Sequence, residues 1–283
     1  MLFVSVIVFW KTLFALVAYS LHNESASHAV LIPLVSAYLL YVERKRIFPV
    51  VRPSLAVGAC VILSGVGLYW MAIRNAAQWH GDESLSASVL ALVLIWVGGF
   101  LCFYGLAAAR RAAFPLLFLL LMVPLPANML AWVIHTLQEE STEVTYLLFK
   151  GLGIPVFRQG FVLSVPGVSI EVAAECSGIR SSIALFITCL LAAHFYLRTP
   201  WKILVFMLLV LPLAVIKNGI RIVTLTLLSI YVDPSFLHGS LHRDGGFVFF
   251  LLALLLLLPV LLALEKSENR GTALNSPQSA TGD

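Results

Sequence analysis

Apolar residues run in long blocks separated by short polar breaks, and this pattern sets the fold class before any motif is considered. Blocks long enough, or nearly so, to cross a bilayer as helices cover about residues 1–22, 28–42, 54–73, 86–108, 112–130, 179–197, 201–231 and 246–264. The pattern predicts an all-α polytopic membrane protein with about eight transmembrane helices. The first block lacks a basic stretch before its apolar run and carries Lys11 in its middle, so it reads as a retained helix rather than a cleaved signal. Residues 1–264 are expected to form one transmembrane domain. The polar tail 265–283, rich in Ser, Thr, Asn and Gly, is expected to be short, cytoplasmic and disordered.

One segment between the fifth and sixth blocks departs from this pattern. Pro124-Leu125-Pro126 should end or bend the fifth span. From Asn128 to Lys150, Gln138, Glu139, Ser141, Thr142 and Glu143 interrupt Leu130, Trp132, Val133, Leu137, Val144, Leu147 and Leu148. Two readings fit: an amphipathic helix on the outer surface or over the bundle mouth, or the second half of a broken span. Gly151, Gly153 and Pro155 stop that helix. The β-branched runs Phe161–Val165 and Val168–Val172 then flank Pro166-Gly167, a pair suited to a type II turn. A small extracytoplasmic β-hairpin is predicted before helix six. It must sit in water or against protein, because open sheet edges are not tolerated in hydrocarbon.

Charge adds orientation. Arg44, Lys45, Arg46, Arg52, Arg110, Arg111, Arg198, Lys202, Lys266 and Arg270 fall on one side of the predicted topology, and most acidic residues fall on the other. Basic loops prefer the cytoplasm, so both termini are expected there and the segment before helix six is expected to face outward. This asymmetry accounts for the net charge of +4 without a nucleic-acid partner. No zinc-ligand spacing, phosphate-cradling glycine loop or internal repeat is present, so neither metal nor cofactor is expected. Cys60, Cys102 and Cys189 fall within predicted helices and read as buried free thiols.

Three polar positions then stand out. The run Ala174-Glu175-Cys176-Ser177-Gly178-Ile179-Arg180-Ser181-Ser182 is costly beside lipid. A helix N-terminus and the Arg180 guanidinium would favour the Cys176 thiolate, the nucleophilic form, whereas a lone cysteine packed by a small glycine is more often inert. Both readings stand at this level. In the seventh span, Lys217 and Arg221 flank Asn218-Gly219-Ile220 and lie one turn apart. Snorkelling to the headgroups suits Lys217 better than Arg221, which cannot shed its charge. Before the last span, His242 sits in Leu241-His242-Arg243-Asp244-Gly245-Gly246 and can exchange a proton near neutral pH. His238 lies close enough to serve as the base instead, and His242 is preferred for its Leu-His-x-x-Gly-Gly context.

These three motifs, in this order among apolar spans, resemble the exosortase family of bacterial membrane cysteine transpeptidases. Ser27-His28-Ala29-Val30-Leu31-Ile32-Pro33, Pro124-Leu125-Pro126 and Gly153-Ile154-Pro155-Val156 extend the resemblance over about residues 27–264. It implies Cys176 as nucleophile with Arg221 and His242 as catalytic partners, and Arg180 and Asn218 as supporting residues. The expected substrates are secreted proteins with a tripartite C-terminal sorting signal: a short Pro-Glu-Pro type motif, a transmembrane helix and a basic tail. They would be cut at the outer face of the cytoplasmic membrane and passed through a thioester to an unknown acceptor, with a lipid- or polysaccharide-linked amine as one option. The competing reading is a non-enzymatic membrane subunit for polysaccharide export or assembly, in which Arg221 and His242 line a polar cavity. Some relatives carry a soluble domain after the last helix, and no such domain is legible here.

Overall fold

The computed structural model describes residues 5, 7–49, 51–79, 81–237 and 246–274. The chain divides into two compact units, Met1–Trp132 and Val133–Asp283.

The first unit holds α1 (Trp10–His22), α2 (Ile32–Val42), a helical turn at Arg44–Ile47, α3 (Leu55–Arg74), α4 (Gly81–Arg111) and α5 (Ala113–Phe118), which continues as a 3-10 turn to Met122. Helices α3 and α4 meet backbone to backbone at glycines. A β-carbon on Gly98 would lie 2.9 Å from the Gly58 carbonyl oxygen, and one on Gly58 would lie 2.7 Å from that of Gly98. Such close approach is how helices associate where lipid supplies no hydrophobic drive between them. Near its end α4 is broken at Gly105 (φ 80°), where any side chain would overlap the Arg52 carbonyl.

Helix α6 (Ala127–Gly151) leads into the second unit, which continues with β1 (Phe157–Gln159), β2 (Val162–Val165), β3 (Val168–Glu171), a 3-10 turn at Ala174–Ser177, α7 (Ile179–Tyr196), α8 (Pro200–Tyr231) and α9 (Gly246–Leu274). The core of the three helices is built from residues at every fourth position. Leu185, Cys189, Ala193 and Leu197 meet Phe206, Val210 and Ala214 of α8 and Ala253, Leu257 and Leu261 of α9. This is the i±4 ridge that interlocks with its neighbour's groove.

The strands form one antiparallel sheet in the order β1-β2-β3, with Val165 opposite Val168 across the Pro166-Gly167 turn. The hairpin is therefore present and carries a third, three-residue strand that its sequence does not announce. Period-two alternation puts Leu163, Val165, Ile170 and Val172 on one face, where they pack with Phe149 of α6 and Val223 of α8. Gln138 donates to the Val172 carbonyl, Arg158 pairs with Glu143, and His135 meets the Phe161 ring edge-on at 5.5 Å. The sheet is thus bound to protein on its apolar side.

Among the described residues five helices are long and apolar enough to cross a membrane: Leu55–Arg74, Asp82–Arg111, Ile179–Tyr196, Pro200–Tyr231 and Gly246–Glu268. The pair Ala113–Met122 and Ala127–Gly151, bent by 92°, makes a sixth if taken as one broken span. The expected count was eight. Helix α2 has 11 residues, short of the ~20 that an upright span needs, and the start of the first block lies outside the described residues. The fifth block is interrupted between Met122 and Ala127, where Pro124 and Pro126 cannot continue a helix.

Helix α9 continues past Glu265 to Leu274. Its extension is tied down. Glu268 accepts hydrogen bonds from the backbone N–H groups of Arg198 and Thr199 at 2.9 and 2.8 Å, and Lys202 Nζ donates to Ser267 Oγ at 2.6 Å. Residues 275–283 of the expected disordered tail lie outside the described residues.

Candidate active site

The candidate site is built on the start of α7. After β3 the chain leaves the sheet at Val172, whose carbonyl is taken by Gln138 instead of a strand partner, and winds through the Ala174–Ser177 turn. Gly178 then reverses it into α7 with φ 73°, a left-handed conformation that suits glycine. Cys176 belongs to the 3-10 turn, so its backbone lies between an anchored strand end and a helix N-terminus. The side chains of Glu175 and Cys176 lie outside the described residues, as do His238 and His242.

Helix α8 supplies the facing wall. Asn218 is 1% exposed. Its Nδ2 donates to Ser141 Oγ of α6 at 3.0 Å, and its Oδ1 would lie 2.6 Å from a β-carbon on Gly178. Gly219, next along, lets α8 close on α6: a β-carbon there would lie 2.6 Å from Val144 Cγ1. Only glycines at 178 and 219 let three backbones converge on one asparagine. Asn218, expected as a supporting residue, joins all three elements.

The other predicted residues fall around this point. Arg221 lies one turn beyond Lys217 on α8, half-buried with its Nε buried. Arg180 is exposed on the first turn of α7. Lys217 does not snorkel: it is 3% exposed and its Nζ donates to Ser181 Oγ at 2.6 Å. Like charges one turn apart repel, so holding both Lys217 and Arg221 at this depth costs stability that mere space-filling would not require. The hydroxyls of Ser177 and Ser182 are buried without a hydrogen-bond partner among the described residues. Such orphans typically cost about 1–3 kcal/mol each. The expense is concentrated around the Cys176 turn.

Two contributors went unread in the sequence. Ser141 and Gln138 belong to the polar stripe of α6, which the sequence left open between the outer surface or bundle mouth and the second half of a broken span. In the structure Ser141, Thr142 and Thr145 are fully buried and Leu147 of the same helix is exposed. The hydroxyls are satisfied internally: Thr142 and Thr145 donate to the carbonyls of Gln138 and Ser141 at 2.7 and 2.6 Å, and Ser141 accepts from Asn218. In an apolar solvent the polar stripe of a helix turns toward protein, and that reversal was the available signal.

Beyond α8, Asp233 Oδ1 accepts the Ser235 N–H at 2.7 Å and caps the turn Pro234–Leu237. That hydrogen bond holds the Asp233 carboxyl below the usual carboxylate range. Among the described residues no group of three or more His, Cys, Asp or Glu is placed to hold a metal. Cys60, Cys102 and Cys189 are free thiols, with Cys60 exposed rather than buried.

A family model described as transmembrane exosortase matches residues 15–259. No curated protein and no solved structure matches the chain. The match and the apolar helices together make the chain a multi-pass membrane protein.

Proposed function

Because the chain belongs to the transmembrane exosortase family, we propose that it is a membrane cysteine transpeptidase with Cys176 as nucleophile. Its substrates are secreted proteins carrying the tripartite C-terminal signal, cut beside the Pro-Glu-Pro type motif at the outer face of a bacterial cytoplasmic membrane, with both termini of the enzyme cytoplasmic. The observation that carries this reading is the packing of Asn218 against Gly178. It sets Asn218, between Lys217 and Arg221 on α8, against Gly178, two residues after Cys176, which supports a thiol and a cation acting at one site.

The Cys176 thiolate attacks the scissile carbonyl carbon, and Arg221 stabilises the oxyanion that forms. The C–N bond breaks as His242, in its imidazolium form, gives its proton to the leaving amine, which leaves the acyl group on sulfur as a thioester. An amine acceptor then attacks the thioester while neutral His242 takes its proton. The thiolate and imidazolium are regenerated, so protons balance over the cycle. Water in place of the amine gives hydrolysis by the same steps.

Cys176→Ser tests the proposal, with the size of a tagged Pro-Glu-Pro-terminated protein followed in the same cells. Loss of processing is expected, together with a hydroxylamine-sensitive adduct on the wild-type enzyme. Normal processing by Cys176→Ser would overturn the assignment and leave the export-subunit reading.

A further inference from the structure

Lys217 is the charged group whose position is hardest to explain by packing. An ammonium buried to this degree carries a desolvation cost that its surroundings must repay. Methionine would fill similar space without that cost. Among the described residues no carboxylate lies within ion-pair distance of Lys217, and its recorded partner is a neutral hydroxyl, Ser181 Oγ, at 2.6 Å.

That hydroxyl leads to the Cys176 turn. Ser181 Oγ donates in turn to the Gly178 carbonyl at 3.1 Å. The same carbonyl accepts the first i to i+4 bond of α7, from the Ser182 N–H at 2.9 Å. The chain of donors from Lys217 through Ser181 therefore ends on the one residue whose left-handed φ joins the Ala174–Ser177 turn to the helix. The neighbouring Asn218 presses on Gly178 by packing, with its amide anchored to Ser141. Consecutive residues of α8 thus hold Gly178 by two different means, one through its carbonyl and one over its Cα.

We propose that Lys217 is a positioning residue for the Cys176 nucleophile, acting through Ser181 on the Gly178 turn. The inference rests on the transpeptidase reading only for the identity of the nucleophile. A hydroxyl rotor alone would leave the turn free to exchange its Ser181 bond for others. A buried ammonium has no acceptor capacity and must donate, so it fixes the direction of the hydroxyl and hence of the bond to Gly178. That requirement explains why a cation stands where a neutral side chain would pack more cheaply.

The test uses the full chain in native membranes and reads the rate at which N-ethylmaleimide modifies Cys176, followed by mass spectrometry of its peptide. Lys217→Met and Ser181→Ala are each expected to slow modification, on the order of tenfold for a thiol displaced by a fraction of an ångström. Lys217→Arg, which keeps a charged donor, should restore most of the rate. The double variant should be no slower than either single one, because both remove the same relay. With a tagged Pro-Glu-Pro-terminated substrate, kcat should fall while KM holds. Wild-type modification rates in both single variants, or a double variant slower by the product of the two factors, would overturn the proposal. If Lys217→Met fails to accumulate, Ser181→Ala, which removes one part-buried hydroxyl, carries the test by itself. Labelling needs no substrate, so its outcome is separate from whether Cys176→Ser still processes one.

Discussion

The carboxamide of Asn218 stands in the space a side chain on Gly178 would need, with Oδ1 2.6 Å from the position of that β-carbon. Asn218 cannot swing aside cheaply, since its Nδ2 is held by Ser141 at 3.0 Å in a buried setting. The entry to α7 is therefore fixed by helix α8 rather than by a capping side chain of its own, and no side-chain cap bond is made at Gly178.

Gly178→Ala is accordingly expected to fail twice. The left-handed φ of 73° strains any L side chain by about 1–3 kcal/mol, and the new methyl overlaps Asn218. Thermal unfolding in detergent should show the loss of stability, and substrate processing should disappear. Adding Asn218→Ala relieves the overlap but not the backbone strain. The double variant should then be less destabilised than the sum of the singles, and strict additivity would show that the two residues do not press on one another.

The Ser141–Asn218 bond can be measured on its own. Ser141→Ala leaves a buried amide without that acceptor, at a typical cost of about 1–3 kcal/mol. Asn218→Ala should cost at least as much, and a double-mutant cycle should return a coupling energy of about 0.5–3 kcal/mol. A coupling near zero would mean the bond contributes nothing to the α6–α8 contact.

Much of this arrangement is legible in the chain, and its failures share a cause. The Pro166-Gly167 hairpin and the position of Cys176 at the head of a helix followed from turn chemistry and residue type, whereas Asn218 was singled out only by the family resemblance. What periodicity cannot say is which solvent a stripe faces. The hydroxyls of α6 fitted either a surface helix or half of a broken span, and Ser141 is buried against Asn218. Lys217 looked long enough to reach headgroups and instead meets Ser181. Strand β1, with three residues, is too short for alternation to register. Hydropathy blocks also do not show that the fifth block bends sharply at Pro124-Leu125-Pro126, because a window sums apolar residues through the break.

The sheet is attached to α6 by a bond to its backbone and by a half-exposed ion pair. Gln138→Leu removes the donor to the Val172 carbonyl, where the chain leaves β3 for the Cys176 turn. Stability should fall by about 1 kcal/mol and processing by about tenfold, since the strand end loses its tether. Arg158→Ala removes a pair with Glu143 whose side chains are 25% and 47% exposed. Pairs of this kind are worth about 0–1 kcal/mol, so processing should stay within twofold of wild type. Equal effects from the two variants would show that the sheet is held as a whole and that Val172 has no special role.

Glu268 gives a prediction at the far end of the bundle. Its two oxygens take the backbone N–H groups of Arg198 and Thr199, which precede α8, and so hold the last turns of α9 against that corner. Lys202 adds a bond to Ser267. Glu268→Ala removes both acceptors at once, while Lys266 next to them is exposed to protease. Loss of capping bonds worth about 1 kcal/mol raises the open fraction of this segment about fivefold. Trypsin should then cut at Lys266 faster by that factor in the solubilised protein, with Glu265→Ala as the control that leaves the bonds intact. Equal cleavage rates in the two variants would show that α9 keeps its final turns by apolar packing alone.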